Sequence, residues 1–167
     1  MECSIRAELR GLLFVFLFCG TASAADVTVH VKSFGTFRLE GLKLEERADQ
    51  TTGVVGSVSQ TVFEEQTDRI PLRIGAAFGA TFTVEAPGQS TVRLRSVTLY
   101  PSPGLRNPVT GVTGSHDEAV MTYRVGELSS DWFLFYYDWE LVPGVWVWQL
   151  WDGDKKLAEK SFTLAKP

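Results

Sequence analysis

From Asp26 onward, apolar side chains recur at every second position, and that period restricts the chain to extended strands that bury one face. Val27, Val29 and Val31 fall on one side, and Thr28, His30 and Lys32 fall on the other. The alternation returns in Ile70, Leu72 and Ile74, and in Ala76, Phe78, Ala80, Phe82 and Val84. It continues through 91–100, through Ala119, Met121, Tyr123 and Val125, and through three later runs at 131–139, 145–151 and 156–164. Within 91–100 the apolar parity changes, from Val92 and Leu94 to Val97 and Leu99, which predicts a β-bulge near Arg95-Ser96.

Turn chemistry separates these runs. Pro87-Gly88, Pro103-Gly104, Asn107-Pro108 and Pro143-Gly144 combine preset or positive φ with self-bonding side chains, and Asp152-Gly153-Asp154 predicts a tight hairpin. No stretch carries a helical stripe. About seven to nine short strands without alternating helices predict an all-β fold: an antiparallel two-sheet β-sandwich of immunoglobulin-like type, with a closed barrel as the alternative. Two longer connections, 41–53 and 101–117, lack strand periodicity, and long loops on a rigid sandwich are where binding most often resides.

The segment before Asp26 reads differently. Arg6 and Arg10 precede the apolar run Leu12 to Phe18, and Ala22-Ser23-Ala24 follows it, so residues 1–24 are predicted to be a secretory signal cleaved after Ala24. The apolar run falls well short of the roughly 20 residues that a bilayer-spanning helix needs. Cys19 follows the bulky Phe18, which disfavours lipoprotein processing. The expected product is one domain, 25–167, placed in the periplasm or outside the cell.

Cleavage removes as many acids (Glu2, Glu8) as bases (Arg6, Arg10), so the formal charge of −4 is unchanged. That balance excludes nucleic acid as a main partner, because phosphate recognition needs clustered Lys and Arg. Both cysteines, Cys3 and Cys19, lie within the signal. The processed domain therefore rests on its apolar core without disulfides, and has neither a thiol nucleophile nor thiolate metal ligands.

All five tryptophans lie between residues 132 and 151. Trp132, Phe133, Phe135, Tyr136, Tyr137 and Trp139 occupy both parities of one run, and Trp146, Trp148 and Trp151 follow in the next. Only one face of a sandwich strand looks inward, so some of these rings either face outward or lie under a long loop. On the first reading, Trp132, Tyr136, Tyr137, Trp139, Trp148 and Trp151, with His116, form a binding surface for a protein partner or for sugar stacking. On the second, Trp146, Trp148 and Leu150 fill the core and loops cover the others.

No catalytic constellation stands out, and no cofactor or metal is expected. His116 with Asp117 and Glu118 is the best acid–base group, yet adjacent strand positions split across two faces and make a poor ligand set. Asp138 and Glu140 would share one strand face, and solvated surface charge is the simpler account of them. There is no G-x-S-x-G elbow, H-E-x-x-H pair or phosphate-cradling glycine loop.

The run Thr67-Asp68-Arg69-Ile70-Pro71, the later Phe78-Gly79, and the ending Pro143-Gly144-Val145-Trp146 through Trp151-Asp152-Gly153 to Phe162 resemble an uncharacterised family of secreted bacterial domains catalogued as a domain of unknown function. That resemblance implies an immunoglobulin-like fold and a Gram-negative periplasmic setting. It carries no catalytic or binding residues to transfer. A non-enzymatic interaction module of the envelope is the leading expectation, followed by a carbohydrate-binding module and then by a hydrolase.

Overall fold

The computed structural model describes residues 26–166; the predicted signal and its cleavage site lie outside them. Nine strands form two facing sheets. The first sheet has the order β11 (Leu128–Leu134), β6 (Ala77–Glu85), β1 (Thr28–Glu40) and β4 (Gln60–Gln66). The second has the order β10 (His116–Arg124), β7 (Thr91–Leu99), β12 (Gly144–Asp152), β13 (Lys155–Ala165) and β5 (Arg69–Pro71). Every pairing in them is antiparallel except that of β5, which runs parallel to β13. Two small hairpins complete the fold, β2 (Lys43–Glu46) with β3 (Val54–Ser57), and β8 (Leu105–Arg106) with β9 (Thr113–Gly114).

The period-two residues of β6, β12 and β13 meet between the sheets as predicted, whereas Val31, at a register shift, and Met121 of edge strand β10 are exposed. Phe78, Ala80, Phe82 and Val84 of β6 face Trp146, Trp148 and Leu150 of β12, with Phe162 and Leu164 of β13 beside them. Phe78 packs edge-on against Phe162 at 5.0 Å and against Trp146 at 6.0 Å between ring centres, and Phe82 lies 5.6 Å from Trp148. Full burial of side chains this size contributes about 1.5–3 kcal/mol each, which is how the domain closes without a covalent link between its sheets.

Several local expectations are corrected. β7 runs in unbroken register against β10 and β12, with no bulge at Arg95-Ser96. Ser96 keeps the inward parity, buried near Asp131, and Val97 is buried on the opposite face opposite Gln149. The register shifts fall instead at Val31/Ser33, Thr36/Phe37 and Leu150/Trp151. The strand expected through Ile74 stops at Pro71, and Ile74 is 45% exposed. The aromatic run leaves its sheet after Leu134 and ends in a 3-10 turn at Asp138–Glu140, so its two-sided apolar pattern reflects a change of direction. Asp138 and Glu140 therefore share no strand face: Asp138 is exposed and Glu140 is buried.

The connections fall at two ends. Turns at 86–90, 125–127 and 153–154 close one end tightly. Both hairpins, the 72–76 segment and the 135–143 loop gather at the other.

Candidate functional site

The loop-rich end is assembled around two polar anchors. Asp117, at the start of β10, accepts hydrogen bonds from Thr51 N (2.5 Å), Thr52 N (3.1 Å) and Thr52 Oγ1 (2.9 Å). These bonds hold the tip of the β2–β3 hairpin. Asn107 donates to Thr51 O at 3.1 Å and accepts from the amides of Val109 and Thr110, tying the second hairpin to the first. Gln50, Thr51, Thr52 and Asn107 are all buried, and buried polar groups of this kind rigidify a loop only when they are paired.

Glu140 is the second anchor. Its residue is 1% exposed, and its Oε2 accepts from Tyr136 N at 2.7 Å and Tyr137 N at 2.9 Å. Burial, reinforced by the nearby Asp117 charge, outweighs those two bonds and pushes the carboxyl up to about 7. The Tyr100 hydroxyl is also buried there, near Asp117 and without a hydrogen-bond partner among the described residues, and burial holds it well above the ordinary phenol range.

Held by Glu140, the chain after β11 forms an aromatic ridge in which Tyr137 and Trp139 are half-buried and Trp139 packs against the core. Tyr136 meets Tyr137 edge-on at 5.0 Å, and Tyr137 stacks on Trp139 at 5.5 Å with 12° between planes. Tyr136 is 47% exposed. A cleft of about 910 Å³ opens on its side, lined by Phe37, Leu42, Pro71, Arg73 and Ile74. A cleft of about 380 Å³ opens on the other, where Tyr137 and Trp139 face Glu46, Arg47, Asn107 and Thr110. The ridge thus separates two concavities.

The remaining predicted surface residues lie elsewhere. Trp148 is 3% exposed in the core and donates from Nε1 to Asp131 Oδ2 at 2.8 Å, which corrects its placement on a binding surface. Trp132 is partly buried beneath the β2–β3 hairpin, where a Cβ added to Gly56 would meet its ring edge at 3.0 Å. Trp151 is half-buried near the tight-turn end, with Arg95 and Lys156 over its ring at 5.3 and 5.8 Å. His116 is exposed and near Ser115 Oγ at 3.2 Å, Asp117 turns inward to the hairpin, and Glu118 pairs with Arg95 at 2.9 Å. These three do not converge.

A third cleft, of about 180 Å³, runs beneath the hairpin between edge strands β10 and β11. At its base the Asp131 carboxyl accepts from Trp148 Nε1 at 2.8 Å, with Ser96 and Tyr123 nearby, and burial holds it above the usual carboxylate range. This bond ties β11 of one sheet to β12 of the other. Asp131 leaves no signal in the sequence because its partner Trp148 is distant, whereas Asp117 and Glu140 stand out there only as acid–base or surface carboxylates and Asn107 only as a turn residue.

No protein-family model and no curated protein matches the chain. Among solved structures it is similar to an immunoglobulin-like protein from Pseudomonas aeruginosa, at 24% identity and a TM-score of 0.61, over 86% of this chain and 99% of the other. An antiparallel two-sheet sandwich matched over nearly the whole of that protein makes this chain an all-β domain of immunoglobulin-like fold.

Proposed function

We propose that the protein is a non-enzymatic binding module of the cell envelope, and that it recognises another envelope protein at the loop-rich end. The observation that carries this reading is the Tyr136–Tyr137–Trp139 ridge between its two clefts. Tyr and Trp supply large rigid contact area at low conformational cost, and they dominate the energetics of protein interfaces. The fold alone supports no particular partner, since one architecture hosts many functions. The divergence of His116, Asp117 and Glu118 speaks against the hydrolase reading.

A photo-crosslinking residue placed at Tyr137 should give a discrete adduct in the producing cell, and one placed at Asp154 on the tight-turn end should not. Adding Trp139→Ala should abolish the adduct. Equal labelling from both ends, or none from Tyr137, would overturn the proposal.

A second reading rests on the smaller cleft, where the stacked Tyr137–Trp139 pair beside Glu46, Arg47 and Thr110 suits a sugar ring. Titration with envelope glycans should then shift tryptophan emission in the natural protein and not in Trp139→Ala. A flat response across the panel removes this reading and leaves the first standing.

A further inference from the structure

We propose that the larger cleft is a strand-addition site, in which an extended segment of the partner protein lies along Arg38–Glu40 of β1, sets alternate apolar side chains into the cleft and places a carboxylate against Arg73. The inference rests on the reading of this end as the recognition surface, and names the part of the partner that enters it. The opening is a gap in the sheet itself. β1 keeps β4 beside it as far as Glu40, opposite Gln60, but on its other side it loses β6 after Phe37, opposite Ala77. The chain ahead of β6 does not continue along β1. The Gly75 amide donates to Phe135 O at 2.8 Å, and Gly75, at φ +81°, turns that segment toward β5 in the other sheet. The end of β1 is thus left with one open side, where alternate residues offer main-chain N–H and C=O groups to an extended chain.

The groups bordering the gap fit such a chain. Leu39, Leu42, Ile74 and Tyr136 line the cleft with the buried Phe37, and Ile74 and Tyr136 are exposed in it. Covering apolar side chains of this kind is what an added strand gains beyond its main-chain bonds. The charges are uneven. Arg38 is paired with Glu40 and, at 3.6 Å, with Glu64, whereas the exposed Arg73 has no ion-pair partner among the described residues. Its guanidinium presents parallel donors that match a carboxylate. Glu65 of β4 also borders the cleft, so an acidic residue is favoured beside the 72–76 segment and disfavoured beside β4.

The test selects phage-displayed random peptides on the processed protein. Enriched sequences should alternate apolar and polar residues and carry an acidic one. The best of them, made as a synthetic peptide, should move the amide signals of Arg38–Glu40. Arg73→Ala should weaken that peptide about tenfold, and Arg73→Lys by less; because Arg73 is exposed and unpaired, neither change disturbs the fold. Methylating the central amide nitrogens of the peptide should also weaken it about tenfold. No enrichment, amide shifts that bypass β1, or full affinity after either Arg73→Ala or N-methylation overturns the proposal. Failure here leaves crosslinking at Tyr137 untouched. Loss of that crosslink while the peptide still binds removes the ridge and keeps the strand site.

Discussion

The two ends of this sandwich solve opposite problems with the same strands. At one, the 86–90, 125–127 and 153–154 connections are tight turns, and the ion pair between Lys155 and Asp26 lies open to water. At the other, two hairpins and a 3-10 turn are cross-tied through Asp117, Asn107 and Glu140, with five polar residues buried among them. In antibody variable domains, recognition loops sit at the end occupied here by the β6–β7 and β12–β13 turns. This protein elaborates the opposite end, where buried polar groups hold aromatic rings in place, and that is the end proposed above for recognition.

That contrast can be broken by substitution. The largest effect is expected from Asp117→Ala, which leaves the Thr51 and Thr52 amides of the hairpin tip unpaired and should cost about 2–4 kcal/mol in urea denaturation. Asp154→Ala at the opposite end should stay within about 0.5 kcal/mol. A second effect appears as a slope. The folded Glu140 carboxyl keeps its proton where the unfolded one has lost it, so its contribution is fully present below about 4.5 and is lost as pH rises through about 7. Stability measured across that window should decline with pH, and Glu140→Gln should flatten the decline; Asp131, raised in the same direction, adds to the decline with rising pH. Next, Gly56→Ala should cost about 1–2 kcal/mol by pressing on Trp132, read as a lowered denaturation midpoint with altered tryptophan emission. Smallest is Gly153→Ala. Its φ of +53° disfavours a side chain but no atom lies within 4 Å of the added Cβ, so about 1 kcal/mol of backbone strain is all that is expected.

The same division governs what the sequence reveals. Strands β6, β12 and β13 announce themselves because each buries one face, and so does the Asp152–Asp154 hairpin, whose residues carry their own turn chemistry. Strand β4 was invisible, since Glu64, Glu65 and Gln66 lie on an exposed edge and leave no apolar period. Within the site, Tyr136, Tyr137 and Trp139 were legible as surplus rings. Trp148 shares the inward parity of Trp146 and Leu150, which the core-filling reading used; its packing on Phe82 and its bond to Asp131 hold it inside. Glu140 beside Asp138 looked like an ordinary solvated acid; its burial follows from a backbone turn that composition does not encode.

The β2–β3 hairpin has one more effect. Gln50 Nε2 takes the carbonyl of Glu118 at 2.6 Å and Thr51 Oγ1 takes that of His116 at 3.3 Å, so the first half of strand β10 offers no open carbonyls to a stranger. Two molecules meeting along this margin cannot zip their main chains together there. A segment held in place to shape one end of the domain thus also shields one stretch of open sheet edge.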